Sequence, residues 1–394
     1  MDIRQLRADE FDSSIELSQY AFGYKLSAED REQRRTHFKP EQFWGAFEEE
    51  ELQAKLTLLP LELYIQGQPV PMGGIAGVCT WPEHRRKGLV NQLLQQALIV
   101  MKEQGQSLSC LHPFLVPFYR RFGWEIYTEY KKYTIPVQQV TGRFHAPGAV
   151  RRGERDLSVL GPLYESFAKR YNGTLVRTAE WWERSVFDEE TYTAVYYSEA
   201  GRAEGYLLYK ITGQELTVDE FVCLNETARR GLWGYLANHD SKVQQIVVDH
   251  VPADDLLPFL LEDPRCKQEV WPYFMARIVD AAAFVERYGF QPAADSGDGD
   301  RILTLQLRDE FASWNDGTWQ LSVNAEGQGQ LRKIEDPAQA AGVCCDIQTL
   351  TAVLLGYKTP RELLRYERIA GSKAGIAALE QVLAPRPTAL MDFF

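Results

Sequence analysis

None of the six cysteines is spaced Cys-x-x-Cys, and the six histidines lie far apart in the 394 residues. That pattern excludes the common zinc and dithiol redox motifs. Cysteines 79, 110, 223, 266, 344 and 345 read instead as reduced thiols of a cytosolic chain. Cys344 and Cys345 are neighbours without a histidine beside them, so no metal site is expected. No apolar run reaches the length of a membrane span, and the opening Met1, Asp2, Ile3, Arg4, Gln5 carries no signal-peptide core. A cytoplasmic protein that does not engage membranes is therefore expected. A net charge of −12 lacks the positive excess that nucleic-acid binding needs. It suits a cationic substrate, or serves solubility alone.

What is present is enough apolar surface for several cores. Hydrophobic residues make up 45% of the chain and aromatics 12%, and at this length two or three domains are the expectation.

The most informative stretch runs from Gly73 to Leu94. Ile75 to Trp81 is small, apolar and β-branched, which suits a buried strand, and Pro82 ends its ladder. Leu89, Leu93, Ala97 and Val100 then recur at helical spacing. Between strand and helix lie Arg85, Arg86, Lys87 and Gly88. The first amides of a helix have no intrahelical acceptor, and with the helix dipole and three cations they make an anion site. Read alone, the same four residues are also a solvated basic helix start. The spacing of a Walker loop is absent.

A second segment is Phe118, Tyr119, Arg120, Arg121, Phe122, Gly123, Trp124. It reads as a short helix closed by Gly123 and feeding a strand. Tyr119 is either a buried, hydrogen-bonded phenol or a proton donor at the strand's end. The chain finishes Pro387, Thr388, Ala389, Leu390, Met391, Asp392, Phe393, Phe394. Chain ends are usually polar and frayed, so this apolar tail is expected to pack against something.

Taken together, Val78-x-x-x-Pro82-x-x-Arg85-Arg86-x-Gly88, a helix, a strand and Phe118-Tyr119-x-x-Phe122-Gly123 resemble a GNAT-superfamily N-acetyltransferase. More narrowly they are similar to the enhanced intracellular survival (Eis) family. Val90 departs from the superfamily's usual Gly or Ala, but the narrower family tolerates a larger residue there. The resemblance implies an α/β (α+β) fold: tandem GNAT units with mixed, mostly antiparallel sheets and flanking helices, then a sterol-carrier-protein-like domain. The expected division is residues 1–149 for a catalytic unit, 150–278 for a degenerate second unit and 279–394 for the terminal domain.

The resemblance also implies acetyl-CoA as co-substrate, no metal, and a homo-oligomer (a hexamer in relatives). Acetyl-CoA would be held by the backbone of Val78, Cys79 and Thr80 and by Arg85, Arg86, Lys87, Gly88, Leu89, Val90 and Asn91. Loop residues Phe114 and Leu115 would lie against it. Tyr119 would act as general acid and the α-carboxylate of Phe394 as general base. Such a carboxylate is a weak base in water, with a pKa of about 3.3–3.7, and desolvation strengthens it. Asp392 is its rival, while His84 and His112 sit in strand-end or turn contexts. The acceptor is expected to be a primary amine of a cationic small molecule, aminoglycoside- or polyamine-like. The alternatives are a protein lysine, or a scaffold that carries an apolar ligand beside a vestigial acetyl-CoA site.

Elsewhere, Phe11, Ile15, Leu17, Tyr20 and Phe22 are expected as apolar helix faces. Tyr20, Phe22 and Tyr24 are expected in the core, or else lining an acceptor pocket. Leu52–Tyr64 and Val70–Trp81 read as strands about a turn at Gln66 to Pro69, and Glu125–Val137 as the first unit's final strand pair. In the second unit Leu216–Leu224 reads as a strand, and Arg229, Arg230 and Gly231 as a helix start that echoes Arg86, Lys87 and Gly88. There Ala228 replaces Arg85, and Trp233 takes the place of Val90, where its bulk would crowd a pyrophosphate. No working cofactor site is therefore expected in the second unit. The last unit should hold a helix at 281–288, an acidic turn at 297–300, a hairpin turning at Trp314–Trp319, and helices near 347–355 and 373–383.

Overall fold

Strands Glu51–Ile65 and Gln68–Thr80 pair antiparallel across Gln66 and Gly67, whose φ angles of 51° and 78° give a type I′ hairpin turn. They lie at the centre of the first of three sheets in the computed structural model, which describes residues 1–153, 155–292, 300–334 and 342–394. The first sheet runs Asp2–Gln5, Phe43–Glu48, Glu51–Ile65, Gln68–Thr80, Leu108–Leu111, Met275–Ile278, Glu125–Ile126. The second runs Lys267–Pro272, Glu129–Pro136, Gln245–Pro252, Glu215–Cys223, Ala203–Thr212, Tyr192–Tyr197, Ala149–Gly153.

The two orders mirror each other through an exchange of strands. Met275–Ile278 sits inside the first sheet, and Glu129–Pro136 inside the second. The sheets therefore do not divide at residues 149 and 278. The segment expected as one strand pair, 125–137, splits at Tyr127 and Thr128. Its alternating pattern marked it as strand, but the pairing partner is set by the buried faces of Tyr133 and Ile135, which join the second core. The two crossings lie against each other: the Tyr127 amide donates to Phe274 O (3.2 Å), and the Tyr273 amide to Thr128 O (3.0 Å).

Helix Leu89–Glu103 buries Leu89, Leu93, Leu94, Ala97, Leu98, Val100 and Met101 against the first sheet. A Cβ on Gly73 would lie 2.2 Å from the Met101 sulfur, so glycine is what lets this helix approach. Helix Phe11–Phe22 covers the sheet through Phe11, Ile15 and Leu17. Tyr20 and Phe22 do not join that core, being 59% and 55% exposed. The helix ends at Gly23, and in its exposed last turn the Tyr20 ring lies against that of Trp81 (5.1 Å). Tyr24 is half-buried and accepts from Arg34 (3.3 Å).

The third sheet runs Gly329–Lys333, Gly317–Val323, Arg301–Arg308, Val343–Asp346, Ala370–Gly371, covered by helices Ala281–Arg287, Ile347–Leu354 and Lys373–Val382. It is keyed to the first by Arg277, wholly buried, which donates to Asp309 Oδ2 at 2.6 Å. Of the acidic turn expected at 297–300, all but Asp300 falls outside the described residues.

Candidate active site

The parallel strands Gln68–Thr80 and Leu108–Leu111 are in register from Met72–Leu108 to Ile75–Leu111 and then separate. Gly77, with φ of 57°, makes a bulge against Lys55–Thr57, and the chain after Leu111 turns away through His112 and Pro113. Among the described residues Ala76, Cys79 and Thr80 pair with strand Glu51–Ile65 alone, so past Ile75 the other backbone edge of this strand carries no ladder. Val78 is half-buried on this edge; Cys79 and Thr80 point their side chains into protein.

At the mouth of the gap, helix Leu89–Glu103 begins at Gly88, whose φ of 81° suits glycine and which supplies no side-chain cap. The first intrahelical bond of that turn is Gln92 N to Gly88 O (3.2 Å), so the amides of Leu89, Val90 and Asn91 have no helical acceptor. A Cβ placed on Gly88 would meet nothing within 4 Å, so the helix end faces open space. Arg85, Arg86 and Lys87 are exposed, and among the described residues none is ion-paired with a carboxylate. Arg86 holds a φ of 64°, a strained backbone for a side-chain-bearing residue. Unspent amides and unpaired cations are what a pyrophosphate requires.

The corresponding helix of the second unit, Glu226–Ala237, starts differently. The Asn225 side chain accepts from the Ala228 amide (2.8 Å), and Glu226 pairs with Arg229 at 2.6 Å. Arg229, Arg230 and Gly231 thus lie inside the helix and not at its start, which corrects the expected echo of Arg86 to Gly88. Trp233 is buried against Phe144 and Phe221 rather than set over the helix end. The misreading arose because the cap chemistry at Asn225 outweighs the resemblance of an Arg-Arg-Gly triplet.

Past the gap, Phe114 and Leu115 are exposed (67% and 52%), and Phe114 packs on Phe118 and Tyr119, with centroids 5.2 and 5.4 Å apart. Tyr119 lies on the short helix Val116–Arg120 and is 2% exposed, and burial pushes its phenol well above the ordinary value. It belongs to the apolar cluster of Ile75, Leu89 and Leu111, on the sheet face that carries helix Leu89–Glu103.

The chain's tail reaches the opposite face. Asn172 brackets it, donating its amide to Pro387 O (2.8 Å) and accepting from Ala389 N (3.1 Å). Ala389 and Leu390 are buried. The Phe394 ring then packs on Phe274 (4.7 Å) and over Gly74, where a Cβ would lie 3.0 Å from it. Gly74 is one residue short of the point where the strands part. Adjacent residues of a strand point to opposite faces. Ile75, which shares a cluster with Tyr119, and Gly74, which lies under the Phe394 ring, therefore face opposite sides of the sheet.

The side chains that hold the tail were not legible in the sequence. Asp392 is buried and accepts from Arg177 Nε (2.8 Å), Trp181 Nε1 (2.8 Å) and the Tyr164 hydroxyl (3.2 Å). Three donors engage its carboxylate, which disfavours it as the mobile base. His112 meets Phe274 and Tyr273 edge-on and Phe393 at a tilt, and burial lowers its pKa. His84 lies 3.2 Å from the Lys87 ammonium, in the basic turn.

Comparisons with known proteins match each of the three units. Residues 2–127 match the family described as acetyltransferase (GNAT) domain, residues 173–278 match a second GNAT-domain family, and residues 281–391 match the sterol carrier protein domain. An uncharacterized N-acetyltransferase of Streptomyces avermitilis is 28% identical, over 97% of this chain and 96% of its own. N-acetyltransferase Eis of Mycobacterium bovis BCG is 25% identical, over 68% of this chain and 70% of its own. Among solved structures, a probable N-acyltransferase from Enterococcus faecalis V583 superposes with a TM-score of 0.90 at 28% identity, covering 100% of this chain and 99% of that one. Eis1 from Mycobacterium abscessus shares the fold, with a TM-score of 0.81 at 22% identity and 100% coverage of both chains. On these grounds the chain is an acetyltransferase that carries two GNAT domains and a terminal sterol carrier protein domain, and its overall fold is that of Eis1.

Proposed function

We propose that the first unit moves the acetyl group of acetyl-CoA to a primary amine of a cationic small molecule, aminoglycoside- or polyamine-like. The pyrophosphate would rest on the amides of Leu89 to Asn91, neutralised by Arg85, Arg86 and Lys87. The pantetheine arm would add along the open edge at Val78 to Thr80, as a strand pairs with a sheet edge. An amide of that edge would polarise the thioester carbonyl. Phe114 and Leu115 would shield the arm from water.

The acceptor arrives as an ammonium and must lose a proton before its nitrogen can attack. The α-carboxylate of Phe394 takes that proton, directly or through one water. As the carbon–nitrogen bond forms and the carbon–sulfur bond breaks, the departing thiolate takes the phenolic proton of Tyr119; the second proton, shed by the acylated nitrogen, passes through water to restore the phenol, and the first leaves the Phe394 carboxyl to solvent. Burial keeps that phenol protonated at neutral pH, so the donor is always loaded. The chain's net charge of −12 favours a cationic acceptor.

The observation that carries this reading is the seating of the chain's end over Gly74, at the edge of the strand gap. The test is one residue appended beyond Phe394. Release of free thiol from acetyl-CoA should collapse with a panel of small amines while acetyl-CoA still binds. Undiminished release would remove the tail from the mechanism. The same assay with a lysine peptide separates small-molecule from protein acceptors. Neither thiol release nor acetyl-CoA binding in the wild type would favour the scaffold reading.

A further inference from the structure

Asp392 stands two residues from the chain's end, and the groups that hold it come from the second unit. Arg177 and Trp181 follow strand Thr174–Leu175, and Tyr164 lies on helix Leu157–Ala168. Arg177 uses its other edge on Glu220 of strand Glu215–Cys223 (Nη1 to Oε1, 3.0 Å), and Tyr206 also donates to Glu220. The side chains of Arg177, Glu220 and Asp392 are 2%, 5% and 2% exposed. The hydroxyl of Tyr273, at the crossing between sheets, donates to the backbone oxygen of Asp392 (3.0 Å). Four donors thus converge on one residue, while the ring two positions later lies on the first unit.

Buried ion networks are poor sources of stability, because apolar residues of the same volume usually do as well. What such a network supplies is one geometry. The geometry points to a latch: Asp392, held by Arg177, Trp181, Tyr164 and Tyr273, is a positioning residue that sets where the terminal carboxylate lies. Two residues of free chain reach about 7 Å, whereas productive geometry tolerates about 0.5 Å. Without the latch the carboxylate would wander over distances far larger than proton transfer allows. The second unit, whose helix start is spent on its own Asn225 and Glu226, thereby serves the first unit's chemistry. This role rests on the proposed function, but the latch itself can be tested apart from it.

The test is Asp392→Asn in the full-length protein, which keeps shape and removes charge. Carboxypeptidase Y should release phenylalanine from the variant at least tenfold faster than from wild type, and turnover should fall at least tenfold with acetyl-CoA affinity unchanged. Unchanged release from a folded variant overturns the latch. Fast release with undiminished turnover upholds the latch and instead removes Phe394 as base. If Asp392→Asn does not fold, Trp181→Phe and Tyr273→Phe each delete one donor without touching the ion pair. The same readouts then apply, with smaller expected effects, and unchanged release in both overturns the latch.

Discussion

At the scale of single residues, Tyr119 and Lys55 carry the sharpest expectations. Replacing Tyr119 by Phe removes the proton donor and keeps the ring that packs on Phe114 and Phe118. Turnover should drop by roughly 10²- to 10⁴-fold, the usual worth of general acid catalysis, with acetyl-CoA affinity unchanged. Steady-state kinetics with equilibrium binding checks both halves, and equal turnover would remove Tyr119 from the mechanism. Lys55 is a buried cation that donates to Ser14 Oγ at 2.7 Å, and burial lowers its pKa to about 8. An unfolded lysine titrates near 10.4. Between those values the unfolded chain holds the proton more firmly, so wild-type stability rises with pH across that window. Below about 8 the fold carries the full cost of the buried charge. Lys55→Met should therefore stabilise the protein at pH 7, by on the order of 3 kcal/mol, and by much less at pH 10. Paired thermal melts at the two pH values measure it; a gain that does not shrink with pH would refute the burial argument.

At the scale of elements, the two helix starts make a natural comparison. Gly88 leaves amides and cations free, whereas Asn225 and Glu226 satisfy their own helix end. Arg86→Ala should weaken acetyl-CoA binding roughly tenfold, the worth of one charge-assisted contact, and flatten its salt dependence. Arg230→Ala, exposed in the second helix, should leave that affinity where it was. Calorimetric titration at two salt concentrations tests the pair. The basic turn and its flanking strand and helix were readable because caps, glycines and apolar period are local signals. The Arg-Arg-Gly triplet at 229–231 misled because motif resemblance was weighed without its cap. The exposure of Tyr20 and Phe22 was likewise hidden, since a helix's sequence does not say how much of its last turn is covered.

At the scale of the whole molecule, the exchange of Glu129–Pro136 for Met275–Ile278 makes the two units one folding problem. A fragment of residues 1–149 lacks the strand that joins Leu108–Leu111 to Glu125–Ile126 and carries an orphan strand with a buried face. It should be unfolded or aggregated by circular dichroism and size exclusion, whereas the intact chain should show the two units melting together. A folded, monomeric fragment would contradict the exchange. Much of this protein was settled by local chemistry written in its sequence. Strand and helix periods, the glycine at the helix start, the lone tyrosine after two prolines and the apolar tail each depend on near neighbours. Only the tertiary structure decided which sheet each exchanged strand enters, where the tail lands, and that Arg177, Trp181, Tyr164 and Tyr273 close on Asp392. Those contacts join residues more than a hundred positions apart, and buried surface selects such pairings only when the whole chain is present to compete for it.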